Sequence, residues 1–226
     1  IYEKDKLGGQ FLLAYLPSKK ESLFDIVDFY KKEIERLKIP VVYKEATTEL
    51  IEKEGFDEVV IATGAKPVVP HIKGLIKYHW AEILEKPELI QNKRVLIIGG
   101  GLIGVEIASK LIDFHNQIII VEMLDEIARG LEMIERNLTL AKFKQNNVQI
   151  LLKHKVVELK DNVVIIENEN QEIIQLENID EIVVSVGMKS YRPFELSLPM
   201  HYVGDALKVA KAQDAIYEAY KLVTQI

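Results

Sequence analysis

Gly99, Gly101 and Gly104 stand in the spacing G-x-G-x-x-G inside the segment RVLIIGGGLIGVEIASKLIDFHNQIIIVE, residues 94–122. Those positions suit a pyrophosphate. Gly99 permits a tight turn, Gly101 lets the backbone approach the diphosphate, and Gly104 lets a helix pack closely on a strand. The helix start around Leu102 and Ile103 offers unpaired N–H groups and a positive dipole end to phosphate. Glu122 is an acid that can accept hydrogen bonds from both ribose hydroxyls of an adenosine. Asp125 and Glu126 follow it, and no Arg or Lys occurs before Arg129. A 2′-phosphate would meet like charge there, so the pattern favours NADH over NADPH.

These residues need elements to position them, and the sequence supplies each in register. Arg94–Ile98 is an apolar, β-branched run of the kind that forms a strand buried on both faces. A helical pattern runs from the glycines to Ile112, and a second strand, Ile118–Val121, ends on Glu122. A lone glycine motif is weak evidence; strand, glycines, helix, strand and terminal acid together are strong.

The chain has 226 residues, 48% of them hydrophobic, and a net charge of −6, which suits a globular protein of one or two domains. No apolar run approaches the roughly 20 residues of a membrane span, and no signal-peptide pattern opens the chain. Mild acidity without a basic stripe argues against nucleic acid or a membrane as partner. There is no cysteine, so this chain carries no disulfide, no thiolate metal site and no dithiol redox pair. That fits a cytoplasmic setting. The five histidines, His71, His79, His115, His154 and His201, show no metal-ligand spacing.

Before the glycine segment, 22–37 has helical periodicity, Val41–Tyr43 looks like a short strand, and Thr47–Lys53 is ambiguous. Asp57–Ile61 reads as a strand leading into Ala62-Thr63-Gly64, with Pro67 and Pro70 marking a connection. Glu82–Leu89 holds a short helix interrupted at Pro87, and Ile134–Gln145 is another helix. From Val148 four short apolar runs (148–152, 156–159, 163–167, 172–176) alternate with polar breaks and predict an antiparallel meander. Glu181–Val186 is a buried strand, Met200–Val203 another, and Gln213–Val223 a closing helix. Trp80, Phe24, Phe29 and Tyr30 read as core or interface. Residues 57–64, DEVVIATG, and 180–187, DEIVVSVG, match closely, which suggests two related nucleotide-binding domains.

Together these motifs resemble the two-dinucleotide-binding-domain flavoproteins, and within them the C-terminal portion of the 2-enoate reductase, 2,4-dienoyl-CoA reductase and NADH:flavin oxidoreductase group. The resemblance rests on YEKDKLGGQF (2–11), DEVVIATGAKP (57–67), VLIIGGGLIGVEIA (95–108), IIIVEM (118–123), VVSVGMKSY (183–191) and YVGDALKVAKAQDAIYEAY (202–220). It implies an α/β fold in which a Rossmann-like NAD(P)H domain, with its meander, is inserted in an incomplete FAD-binding Rossmann-like domain. The boundaries it implies are 1–70 for the first part of the FAD domain, 71–193 for the NAD(P)H domain, and 194–226 for the rest of the FAD domain.

By the same resemblance Glu3 would hold the FAD adenosine ribose, and Gly9 and Gln10 would line the flavin's phosphate–ribityl path. Thr63 and Gly64 would mark one chain crossover by the FAD phosphates, with Gly187 at the matching place in the second copy. Asp205, after Gly204, would bond the ribityl chain, although a turn with a capping Asp is the alternative. The start of the last helix, near Ala212-Gln213, would face the flavin N1–C2=O edge, where a helix N-terminus stabilises negative charge. Glu106 would lie near the nicotinamide, or be a first-turn acid favoured by the helix dipole.

The chain departs from the family where a strand and glycine loop should precede Glu3, about 30 residues by comparison with a βαβ unit. It therefore reads as a fragment of a longer flavoenzyme, whose N-terminal barrel would carry FMN and an iron–sulfur cluster. After the first helix, where relatives often have glycine, His115-Asn116 includes an Asn that tolerates the left-handed conformation. The expected activity is hydride transfer from NADH to FAD, with electrons passed on to reduce an enoate or enoyl-CoA in the absent part; the parent enzyme could be an oligomer. The alternatives are a non-catalytic NADH-binding module and an electron-input subunit of a glutamate-synthase-like enzyme. Zero Cys argues against a disulfide or thioredoxin-type reductase.

Overall fold

The structure is a computed structural model that describes residues 1–17, 20–75 and 80–226; His79 lies outside them. The chain forms two compact units. One is built on Val68–Gly187. The other joins the chain up to Pro67, save a short stretch near Leu16, to Met188–Ile226.

The first unit opens with β1 (Tyr2–Glu3), α1 (Phe11–Ala14), α2 (Leu23–Arg36), β2 (Val42–Tyr43), α3 (Thr48–Glu54), β3 (Val59–Ile61) and β4 (Ala65–Pro67). The inserted unit follows with α4 (Trp80–Glu85), β5 (Arg94–Ile98), α5 (Leu102–Ile112), β6 (Gln117–Val121), α6 (Met133–Gln145), β7 (Gln149–Leu151), β8 (His154–Lys160), β9 (Val163–Asn168), β10 (Ile173–Leu176) and β11 (Glu181–Val184). The first unit then resumes with β12 (Met188–Ser190), β13 (Met200–Tyr202) and α7 (Ala212–Val223).

In the inserted unit β11, β5, β6 and β7 form a parallel sheet in that order. Its middle strands are buried on both faces, as their unbroken apolar runs require: Val95, Leu96 and Ile97 expose nothing to solvent. Alternate residues divide between the two faces. Leu96, Ile98, Ile119, Val121 and Val184 pack against Val156, Val164, Ile166 and Leu176 of the meander. Helix α5 lies against β5 and β6 and buries Val105, Ile107, Ala108 and Leu111, and α6 adds Phe143.

The meander has three strands, β8, β9 and β10, rather than four. The first of the four apolar runs is β7, the edge of the parallel sheet, paired with β6. Periodicity cannot separate a short buried strand of either kind; the helix α6 before it decides, because parallel neighbours need a crossover. At the end of α5 the left-handed residue is His115 (φ 59), not Asn116. The Asn116 side chain instead accepts from Lys93 N–H and donates to the carbonyls of Ile90 and Leu111.

In the other unit β1 pairs with β2 and β3 with β13, both parallel, while β4 pairs with β12 antiparallel. The ambiguous stretch around Thr48 is helix α3. Thr47 caps it by accepting from Leu50 N–H, and Gly55 ends it at φ 70. Of the aromatic residues, Trp80 is core, whereas Phe24, Phe29 and Tyr30 are exposed on α2, whose one buried residue is Val27.

Candidate dinucleotide-binding site

The motif glycines meet three different demands. Gly99 has φ 101, and a Cβ there would stand 2.5 Å from the Ser185 carbonyl oxygen. At Gly104 a Cβ would stand 2.0 Å from the Gly99 carbonyl oxygen and 2.7 Å from Ser185 Oγ. Gly99 is a glycine because the end of β5 touches the backbone that follows β11, and Gly104 because α5 touches the end of β5. Gly101, the N-cap of α5, has an ordinary φ of −70, and a Cβ there would meet nothing within 4 Å. Its cradle is open, and the first amides of α5 at Leu102 and Ile103 have no acceptor one turn back within the helix.

Glu122 follows the last residue of β6 and turns back on the loop: Oε2 accepts from Gly100 N–H at 2.7 Å and Oε1 from Leu124 N–H at 2.9 Å. Arg129, the nearest cation in sequence, is engaged by Glu126 at 3.0 Å and Asp125 at 3.3 Å. The cations that next follow Glu122 in sequence are thus held by neighbouring acids, Arg136 also pairing with Glu126 at 3.0 Å. Glu106 is the fifth residue of α5, beyond the first turn, so the helix dipole has faded there.

Two residues that sequence reading passed over complete this loop. Ser185, buried at the end of β11, donates from Oγ to the carbonyls of Gly99 (2.9 Å) and Ile98 (3.2 Å). Gly100 is a glycine because a Cβ would fall 2.3 Å from Ile127 Cγ2. A hydroxyl replacing Ala62 of the first repeat, and a third consecutive glycine, were the available signals. Ser185→Ala should lower stability by about 1–2 kcal/mol, from the loss of a buried hydrogen bond, measured as a shift in urea midpoint at unchanged slope. An unshifted midpoint would count against this role.

In the other unit β1 ends at Glu3, whose Oε1 accepts from Lys4 N–H. Gly9 (φ 48) has no neighbour within 4 Å of a Cβ position, so the chain there is open to a ligand. Gln10 and Gly64 are brought together: Gln10 Nε2 donates to the Ala65 carbonyl and stands 3.3 Å from where a Gly64 Cβ would be. Thr63 donates to the Tyr191 carbonyl. Gly64 and Gly187, the ends of the two repeats, both take positive φ, at 71 and 106, and lead directly into β4 and β12. Asp205 lies in a short turn, Gly204–Ala206, and accepts from Ala210 N–H in the connection to α7. Gly204 N–H donates to Glu218 on α7, and Gln213 is exposed at the start of that helix. A cavity of about 290 Å³ between α2 and β2 is lined by none of these residues.

The open glycine cradle, its acid and the second parallel-stranded unit define a Rossmann-like protein of the dinucleotide-dependent oxidoreductase class. The chain belongs to the pyridine nucleotide-disulphide oxidoreductase family, whose description matches residues 14–204; FAD and NAD(P)H are the cofactors of that family. It is 33% identical to a bilirubin reductase of Mediterraneibacter gnavus over 84% of this chain and 30% of that protein. It is 29% identical to an NADH oxidase of Thermoanaerobacter brockii and 28% identical to a cinnamate reductase of Clostridium sporogenes, each over 100% of this chain and 37% and 35% of theirs. The chain therefore spans about a third of these relatives. A 2-naphthoyl-CoA reductase structure shares the fold at a TM-score of 0.84 and 23% identity, over 100% of this chain and 36% of that one. No helix among the described residues is long and apolar enough to cross a membrane.

Proposed function

We propose that this chain is the electron-input part of a flavin oxidoreductase. It would take hydride from NADH to FAD, the electrons passing to the reduction of an enoate or enoyl-CoA by parts of the enzyme beyond residues 1–226. The observation that carries the reading is the open face at Gly101, next to an acid that ends the adjoining strand. The likeness to an NADH oxidase and a cinnamate reductase supports the choice of donor and acceptor classes.

The cofactors, when bound, supply the hydride chemistry; the chain's task is placement and charge. Amides at 101–104 would hold the NADH pyrophosphate, and Glu122 the adenosine ribose. Glu3, Gly9, Gln10, Thr63, Gly64, Gly204, Asp205 and Gln213 would hold FAD, with Glu106 near the nicotinamide and Gly187 at the second crossover. The parent enzyme would add the barrel domain with FMN and the iron–sulfur cluster, and the domain limits would follow 1–70, 71–193 and 194–226.

Purified chain incubated with FAD and then freed of unbound flavin by gel filtration should stay yellow and bleach on addition of NADH under anaerobic conditions. Yellow protein that NADH leaves oxidised would overturn the electron-input reading. A second reading, an NADH-binding module without turnover, draws on the divided sheet of the first unit, whose parallel strands stand as two separate pairs, β1 with β2 and β3 with β13. Colourless protein that still binds NADH would favour it.

Glu122→Ala should reduce the preference for NADH over NADPH by about tenfold, since the variant removes both a ribose acceptor and a repelling charge. Parallel titrations with the two cofactors measure the ratio. An unchanged ratio would remove Glu122 from the ribose.

A further inference from the structure

The Glu122 carboxylate joins the glycine loop to the connection that follows β6. One oxygen takes the Gly100 N–H at 2.7 Å and the other the Leu124 N–H at 2.9 Å. Gly100 is gripped from its other side too. Its carbonyl accepts from Ala128 N–H at 2.8 Å, and Ile127 occupies the room a side chain would need. Ala128 is fully buried at φ 60, a left-handed backbone that costs a non-glycine residue energy and persists where its surroundings over-determine it. Those surroundings include Leu131 N–H donating to the Ala128 carbonyl and Arg136 donating to that of Ile127. Residues 122–131 therefore close on the one glycine that lies between the first two glycines of the motif.

We infer that Glu122 is a positioning residue for the phosphate loop, setting the main-chain amides of 101–104 in their binding shape before a dinucleotide arrives. This rests on the reading that a dinucleotide binds at 99–104, and it adds a role separate from the ribose contact. Three consecutive glycines have the most backbone freedom to lose on binding a ligand. A charge-assisted bond from the carboxylate to Gly100, with the Leu124 bond holding the carboxylate in place, restricts that freedom in advance, so less affinity is lost to ordering. Each carboxylate oxygen has a second lone pair, so the loop contact leaves acceptor capacity for ribose.

An NADH analogue lacking the adenosine 2′- and 3′-hydroxyls separates the two roles, because it offers Glu122 nothing to bind. The full chain and its Glu122→Ala and Glu122→Gln variants are titrated with NADH and with this analogue. Affinity for the analogue should fall about tenfold in Glu122→Ala and less in Glu122→Gln, which keeps one accepting oxygen. Hydrogen exchange at the Gly100 amide should speed up in both variants while that of Leu96 and Ile97 in β5 stays unchanged. Equal affinity of wild type and Glu122→Ala for the analogue would overturn the positioning role and leave Glu122 as a ribose ligand. Unaltered exchange at Gly100 would overturn it as well, even if one variant folds poorly. Wild-type chain that binds neither compound would remove the dinucleotide reading and, with it, this inference.

Discussion

Gly101→Val is expected to lower NADH affinity by about a hundredfold or more, since two methyl groups would stand where a pyrophosphate must approach, while the chain stays folded. Among the described residues, no atom beyond its own chain neighbours lies within 4 Å of the new Cβ, and φ −70 is open to valine. Its stability effect is confined to replacing glycine at an N-cap with a poor capping residue, about 1 kcal/mol. Titration of NADH fluorescence beside a thermal melt measures both effects. A folded variant that keeps its NADH affinity would remove the pyrophosphate from this loop.

Gly104→Ala should behave in the opposite way. One methyl group would be placed 2.0 Å from the Gly99 carbonyl oxygen and 2.7 Å from Ser185 Oγ, and the nearer of the two is backbone that has no flexible end to move aside. Separating α5 from β5 to admit it should cost about 3 kcal/mol, or roughly 10 °C in melting temperature for a chain of this size. A melt within about 2 °C of wild type would show that the helix and strand are not packed as described. The pair of variants is informative because the larger side chain harms binding and the smaller one harms folding.

The legible parts of this chain were those that are local in sequence. Strand β5, the glycines, α5 and Glu122 fall within one short segment, where spacing alone defines the turn, the helix start and the acid. The repeats at 57–64 and 180–187 were visible for the same reason. The pairing of β4 with β12 was hidden: three residues on each side, separated by the whole inserted unit, carry no periodic signal. Strand β7 reads as part of the meander from sequence because an apolar run of its length looks alike in either sheet. The uses of Gly100 and Ser185 depend on Ile127 and on the carbonyls of Ile98 and Gly99, partners that only the folded backbone brings near. Thr47 was legible as a cap in principle, three residues before an amide it accepts from, yet the run after it is too short for its period to decide.

The interruption of the first unit by residues 68–187 has a consequence for synthesis. A ribosome delivers roughly 5–20 residues per second, so β3 and β4 emerge several seconds ahead of β13 and β12, their partners. The nucleotide unit, contiguous apart from its contribution near Leu16, can finish while still tethered, and its completion draws the two waiting ends of the chain together, which shortens the loop they must close. Nascent chains arrested once Gly187 has cleared the ribosome should therefore already protect β5 from protease and leave β3 open to it.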